Sequence, residues 1–239
     1  MADPQIVAWD IEASNLNADF GVILCVGFKE VEGRRPWVLS IIDYMGEDGD
    51  LIRAEKRLLK DVSKDLMKYP VWLTHYGGPG RYDLPFVNSR LLYHHLQPLP
   101  VNYPMIDTWK ISRNHLKLRN NRLVTIQQFL KLHDEKNAIQ PEQWLRALGG
   151  HVPSMRYIVN HCRRDVLVLE QTYLRIRPLV LEHPHMGFGR RGLINCPNCG
   201  GSHLNKRGFH LTRTRRYQRF QCQECGSWTK STKWEKPNG

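Results

Sequence analysis

No stretch of this 239-residue chain approaches the ~18–20 consecutive apolar residues of a membrane span. Its start, Met1-Ala2-Asp3-Pro4-Gln5, has neither the basic stretch nor the apolar run of a secretory signal. These two absences set the expectation of a soluble, cytoplasmic protein. There is no internal repeat and no low-complexity run, so a repeat array is excluded. Acidic residues are scarce: 23 Asp+Glu stand against 35 Lys+Arg, a net charge of +12. Apolar residues are not scarce. At 41% hydrophobic and 10% aromatic, the chain has enough to build a core and is not wholly disordered.

The excess charge is concentrated. From Gly187 onward there are 11 Lys+Arg against Glu224 and Glu235, a net +9, which leaves +3 for residues 1–186. Such asymmetry points to a polyanionic partner, nucleic acid before membrane.

Of only six cysteines, four fall in the same basic quarter, as Cys196-Pro-Asn-Cys199-Gly and Cys222-Gln-Glu-Cys225-Gly. Each glycine lets the backbone turn so that both thiolates face one ion, and two such knuckles supply the four soft ligands of one structural zinc. A pair of disulfides is the alternative, disfavoured without a secretion signal. A segment of about fifty residues cannot hold itself together by core alone, so the metal would fold it. Between the knuckles, Leu204–Leu211 and Tyr217–Gln221 read as a β-hairpin around a Thr-Arg-Thr-Arg turn. CPNCG, YQRFQC and CG-x-W resemble the zinc ribbons appended to transposases and phage DNA enzymes. The resemblance implies nucleic-acid contacts from Lys206, Arg207, Arg213, Arg215, Arg216, Tyr217, Arg219 and Trp234. Phe220 and Trp228 are expected to pack beside the zinc site.

Residues 1–186 alternate between strand and helix. Gln5–Asp10, Val22–Phe28 and Trp37–Asp43 are closely spaced apolar runs that suggest an antiparallel meander. Ile52–Tyr69 reads as an amphipathic helix closed by Pro70. Val71–Thr74 and Met105–Asp107 read as strands; Leu84–Leu96, Leu123–Leu132, Pro141–Leu148 and about Ser154–Leu181 read as helices. The order describes an α/β fold with a mixed sheet. The expected domains are 1–186 and 187–239.

Within the first, Asp10 and Glu12 lie two apart at a strand end, so their carboxylates share a face. Asp83 opens a helix after the loop Gly77-Gly-Pro-Gly-Arg-Tyr82, where it could be only an N-cap. His161 and Asp165 lie four apart on a helix, hence on one side of it. Taken singly these are surface carboxylates, a cap and a surface pair. In this order, on these elements, they resemble the DEDD superfamily of 3′-to-5′ exonucleases, the DnaQ-like branch of the ribonuclease-H-like fold. Its strand motif matches Asp10 and Glu12, its aromatic-Asp motif Tyr82 and Asp83, its last-helix motif His161 and Asp165, across roughly residues 5–182. Tyr-Asp-Leu-Pro-Phe and Cys-Arg-Arg-Asp-Val-Leu look most similar to stand-alone phage exonucleases, which implies a bacterial or phage-infected cell.

The resemblance implies a ribonuclease-H-like sheet flanked by helices, with a small C-terminal zinc ribbon. It implies two Mg²⁺ or Mn²⁺ held by Asp10, Glu12, Asp83 and Asp165, hard oxygen ligands that suit these cations. Asp10, Glu12, Asp83, His161 and Asp165 are thus the candidate catalytic residues, His161 as general base. Family members carry Tyr four residues before the last Asp, or His five before it; here His is at four and Asn160 at five. Leu16 is placed either against a terminal base or in the core. Tyr157, Cys25 and Cys162 are expected in the core.

The function expected is 3′-5′ exonuclease action on nucleic acid, DNA favoured, with replication or recombination proteins as possible partners and no membrane. The alternatives are a structure-selective endonuclease or RNase on the same scaffold, and a catalytically inactive DNA-binding or recruitment protein.

Overall fold

A computed structural model describes residues 5–132, 139–186 and 195–236. The anticipated boundary at Gly187, the basic residues Arg190 and Arg191, and the start Met1–Pro4 lie outside the described residues. Two compact units emerge, one of residues Gln5–Thr172 and one that begins at Tyr173.

In the first unit, strands β1 (Ile6–Ala13), β2 (Ile23–Glu30) and β3 (Trp37–Ser40) are followed by a 3₁₀ turn over Ile41–Tyr44 and helix α1 (Leu51–Leu66). Next come β4 (Val71–Thr74), α2 (Asp83–Tyr93), β5 (Met105–Asp107), α3 (Thr108–His115), α4 (Leu123–Phe129), α5 (Pro141–Leu148) and α6 (Val152–Ile176). The sheet order is β3-β2-β1-β4-β5, with β1/β2 and β2/β3 antiparallel and β1/β4 and β4/β5 parallel. β1 and β2 are buried almost throughout, as central strands covered on both sides must be. α1 contributes Leu58, Leu59, Val62 and Leu66 to the core, all fully buried at helical spacing. Asp50 caps it by accepting from Arg53 N at 3.0 Å.

The sequence pattern extends β3 three residues too far: Ile41–Tyr44 turns into a 3₁₀ segment, at whose start Ser40 N donates to Asp43 Oδ2 at 3.3 Å. Helix α3 was not anticipated. Asp107, expected as a strand end, caps that helix, accepting from Trp109 N at 2.9 Å.

Where α6 crosses the sheet, a glycine decides the spacing. Gly27 pairs with Asp10 across β1/β2. A Cβ on it would meet Cys162 Sγ at 2.9 Å and Cys162 O at 3.0 Å. The bare backbone lets α6 lie against the strand pair, and Cys162 Sγ sits 3.7 Å from Asp10 O. Cys25 and Cys162 are fully buried, as expected. Their mutual hydrogen bond, and then burial, push the Cys162 thiol up, so it is a neutral packing group. Tyr157 is not in the core. It is 42% exposed, because it lies on the outward side of α6, between the buried Met155 and Ile158.

In the second unit, β6 (Leu204–Leu211), β7 (Arg216–Cys222) and β8 (Trp228–Glu235) form an antiparallel sheet in chain order. Thr212–Arg215 makes the turn, with Thr212 N donating to Arg215 O at 2.9 Å. The third strand, β8, was not anticipated either. The first knuckle is anchored within this unit: Asn198 Nδ2 donates to the carbonyls of Arg177 and Val180, both at 3.2 Å. No helix among the described residues is long and apolar enough to cross a membrane.

Candidate active site and nucleic-acid interface

β1 brings Asp10 and Glu12 to one face of the sheet, and its pairing with β2 shifts register between Glu12 and Ala13. Such an irregularity is a common way to aim a side chain. α6, docked close at Gly27, supplies His161 and Asp165. His161 Nε2 stands 3.4 Å from Asp165 Oδ2 and 3.8 Å from Glu12 Oε1. One ligand atom each from Glu12, His161 and Asp165 lie within 4.8 Å of one another, close enough to share one cation. All three side chains are at least mostly buried.

Asp83 reaches the same region from α2. It is the first helical residue, and Tyr82 occupies the cap position, so the reading of Asp83 as merely an N-cap does not hold. Asp83 is 3% exposed, and its Oδ2 has no hydrogen-bond partner. Burial, then the charges of Asp10 and Asp107, hold its carboxyl well above the usual range. A buried carboxylate with an unsatisfied oxygen beside another carboxylate is the environment a divalent cation relieves. The donor set is all hard oxygen plus one imidazole, so Mg²⁺ or Mn²⁺ fits it. Burial, then Asp83, Glu12 and Asp10, raise the Tyr82 phenol to about 12, so that hydroxyl lies within the field of all three.

The loop before Asp83 is packed onto it. A Cβ at Gly77 would fall 2.2 Å from Asp83 Oδ2. Tyr82 N donates to Tyr76 O at 3.0 Å and Leu84 N to Gly77 O at 2.9 Å. Asp107 was missed as part of this neighbourhood: besides capping α3, its Oδ1 accepts from Tyr76 N at 2.9 Å. Its position after the apolar Met105–Ile106 repeats the strand-then-carboxylate pattern of β1, a signal available in the sequence.

Two clefts open here. One, of about 380 Å³, is lined by Asp10, Asp165, His75, Tyr76, Trp109 and Arg122 among others. The second, about 510 Å³, is lined by Leu16, Arg81, Tyr82, Phe86 and Tyr93 among others. Leu16 is 81% exposed, so of its two sequence-based placements the core is excluded.

In the second unit the four cysteines converge. Cys196 Sγ and Cys225 Sγ lie 3.6 Å apart, as do Cys199 Sγ and Cys222 Sγ, and all four sulfurs are within 4.8 Å of one another. Sulfurs ~2.3 Å from a tetrahedral zinc stand ~3.8 Å apart, so the set fits that ion and is too open for disulfides. The hydrogen bond from Cys196 draws the Cys225 thiol down, while burial pushes Cys199 up.

The ribbon sheet has two unlike faces. Tyr217 pairs with Trp234, Arg219 with Lys230 and Gln221 with Trp228 across β7/β8, so these side chains point one way. There the Arg215 guanidinium lies 4.4 Å over Trp234, Arg219 4.6 Å over Trp228, and Lys230 Nζ 4.8 Å over Tyr217. Trp228 is therefore not packed beside the cysteines; it is 47% exposed, while Phe220 is buried. Lys230 and Trp228 join the predicted set. Arg216 faces the other way, ion-paired to Glu235 and 4.4 Å over Phe209. Lys206, opposite Phe220, shares that reverse side. Arg207 and Arg213 are exposed, the latter in the turn.

Residues 7–176 match the RNase H superfamily. With the mixed sheet and the carboxylates at its centre, the chain belongs to that superfamily, and its first unit is an RNase H-like nuclease domain. Membership points to hydrolysis and binding of nucleic acid, and nucleases of this kind generally use divalent metals. No curated protein matches the chain.

Proposed function

We propose that the protein is a metal-dependent 3′-5′ exonuclease, with DNA as the favoured substrate and a zinc ribbon that grips the strand. The observation that carries this reading is the grouping of Glu12, His161 and Asp165 within 4.8 Å, with Asp10 beside Asp165 in the wall of one cleft and Asp83 buried in the field of Asp10, residues drawn from three elements spread over the first unit. Asp10, Glu12, Asp83 and Asp165 would hold two Mg²⁺ or Mn²⁺. Those cations supply charge neutralisation at the phosphodiester and lower the pKa of water. The chain's own contribution is positioning. Glu12 and Asp165 fix the imidazole of His161, which takes the proton of the attacking water. Gly27 and Gly77 let α6 and the loop before α2 close on the carboxylates. Cys196, Cys199, Cys222 and Cys225 would hold one zinc, whose role is structural.

The test is a digest of oligonucleotides labelled at the 3′ or 5′ end, as single-stranded DNA, duplex DNA, RNA and branched DNA, in Mg²⁺ or Mn²⁺. Mononucleotides released from the 3′ end of DNA are expected. Internal cuts, or RNA alone digested, would make the protein an endonuclease or RNase on this scaffold. No cleavage of any substrate would make it a binding protein.

His161→Ala is expected to lower turnover roughly 10²–10⁴-fold, the scale of a lost general base. Because His161 also sits among metal-ligand-like carboxylates, the metal dependence is measured alongside. An unchanged metal requirement makes it the base, and a large rise makes it a ligand.

For the ribbon, Arg215→Ala with Arg219→Ala should weaken binding to a labelled oligonucleotide. It should flatten the plot of log K against log[salt] by roughly 0.7–0.9 for each phosphate no longer neutralised. Arg216→Ala should change the slope less, because Arg216 already faces Glu235 on the reverse side. Equal slopes for all variants would remove the ribbon from substrate binding.

A further inference from the structure

The smaller cleft holds a cation that the carboxylate chemistry leaves unused. Arg122 stands in its wall with Asp10 and Asp165. Its side chain is exposed, and among the described residues its guanidinium makes no hydrogen bond and no ion pair. Arg34, Arg53 and Arg90, by contrast, are each paired with a carboxylate. An arginine that shares a cleft with two carboxylates and pairs with neither is open to an anion that a substrate brings. Two divalent cations would balance the four carboxylates charge for charge, which leaves the negative charge of a phosphodiester to be met by a further group.

The backbone that carries this guanidinium is fixed on every side. Arg122 N donates to Asn120 Oδ1 at 3.0 Å, and its carbonyl accepts from Thr125 N at 2.9 Å and Ile126 N at 3.1 Å. The residue before it is held by His75, which lines the same cleft. His75 Nε2 lies 2.9 Å from Asn121 O, and a carbonyl only accepts, so Nε2 donates. On the other side of the ring, Nδ1 stands 2.9 Å from Thr108 Oγ1, which itself donates to Thr74 O at 3.0 Å. One imidazole thus joins the end of β4, the start of α3 and the residue before Arg122, across 33 and 46 positions of chain. The chain leaves His75 by a sharp turn. Tyr76 has φ of 64°, in the left-handed region a bulky residue rarely adopts, and its N donates to Asp107 Oδ1. A ring held at both nitrogens beside a strained turn is oriented, and what it orients is the wall that bears Arg122.

We propose that Arg122 binds a non-bridging phosphate oxygen of the substrate, at or next to the cleaved linkage, and that His75 is its positioning residue, acting through the Asn121 carbonyl. The ligand is a phosphodiester, the same in DNA and RNA and beside any base, so the contact adds hold on the strand and no sequence preference. The inference rests on the nuclease reading of the same cleft.

The experiment uses the full chain. Binding of a labelled oligonucleotide to Asp10→Ala in Mg²⁺ is measured with and without Arg122→Ala. It is repeated with oligonucleotides that carry one uncharged methylphosphonate, placed at each linkage in turn. Arg122→Ala should weaken binding of the all-phosphate strand roughly 10- to 150-fold, the scale of one lost charge-assisted hydrogen bond. At one linkage the methylphosphonate should cost a similar factor with Arg122 present and little without it, as a direct partner requires. Steady-state cleavage is followed in parallel for wild type, Arg122→Ala, His75→Ala, His75→Gln and the double variant His75→Ala with Arg122→Ala. His75→Ala should raise KM more than it lowers kcat, and should add little to Arg122→Ala, because it acts through that residue. His75→Gln, whose amide can still donate to the Asn121 carbonyl, should recover part of the loss, which separates positioning from misfolding. Methylphosphonate costs that are equal with and without Arg122 at every linkage, in a chain that cleaves, would overturn the contact while the nuclease stands. Effects of His75→Ala and Arg122→Ala that simply multiply would overturn the positioning role of His75. A linkage-specific dependence on Arg122 in a chain that cleaves nothing would support the contact and refute the nuclease.

Discussion

Asp83→Asn will abolish metal-dependent cleavage, a fall of about 10³-fold or more, and will stabilise the metal-free protein at neutral pH. The first effect is the removal of one charged ligand for cations that supply several kcal/mol of transition-state stabilisation. The second follows from the raised pKa. Buried beside Asp10 and Asp107, Asp83 keeps its proton in the folded state at pH values where the unfolded chain, titrating near 4, has released it. Between those two pKa values the folded state binds the extra proton, so stability falls as pH rises above about 4, through to the folded pKa. Asparagine is neutral and nearly isosteric. It keeps the packing against Gly77 and removes that slope. Thermal unfolding without added Mg²⁺ or Mn²⁺, from pH 4 upward, should show wild type losing stability until the folded pKa is passed while the variant stays comparatively flat. Cleavage is measured on the same preparations in Mg²⁺. A variant that cuts at the wild-type rate would take Asp83 out of the site.

Cys222→Ser will cost the second unit its metal and its fold together. Cys222 is 2% exposed, its sulfur faces Cys199, and its amide donates to Ser227 O. Few large apolar side chains are buried among residues 195–236, Phe220 being the main one. The apparent free energy of a structural zinc, ~10–16 kcal/mol, is therefore the term that holds the three strands. Elemental analysis should give one zinc per wild-type chain and close to none in the variant. Trypsin should then cut at Lys206, Arg207 and Arg219, whose backbone the folded sheet holds within its strands. Chelation of the wild type should reproduce the pattern. Retained zinc, or a protease-resistant ribbon without it, would count against the site.

The sheet and most of the candidate site are legible because the chain writes them in short-range signals. Asp10-Ile-Glu12 at a strand end, Tyr82-Asp83 at a helix start and His161-x-x-x-Asp165 on a helix each set two groups on one face by periodicity alone. Cysteine pairs followed by glycine did the same for the ribbon. What escaped was carried by weaker patterns. Helix α3, Thr-Trp-Lys-Ile-Ser-Arg-Asn-His, is short and has only Trp109 and Ile111 as large apolar residues, and its cap, Asp107, also ends a strand. β8 is Trp-Thr-Lys-Ser-Thr-Lys-Trp-Glu, polar enough to read as a tail, although Trp and Thr favour strands. Gly27, alone inside an apolar strand, was a readable mark of close backbone approach. Nothing local announces that Tyr76 takes a left-handed backbone, since that depends on Asp107, 31 residues away.

The approach of Cys162 to the backbone of Asp10 spans 152 positions of chain. During translation, at ~5–20 residues per second, Asp10 leaves the peptidyl-transferase centre roughly 8–30 s before Asp165 is added. Until α6 has been made, β1 and β2 can pair, but their carboxylates have neither His161 nor Asp165 beside them. A nascent chain thus passes the first two thirds or so of its synthesis with an incomplete centre, next to the messenger and ribosomal RNA it is being made on. The helix that completes the centre comes last of all the elements around the five-stranded sheet.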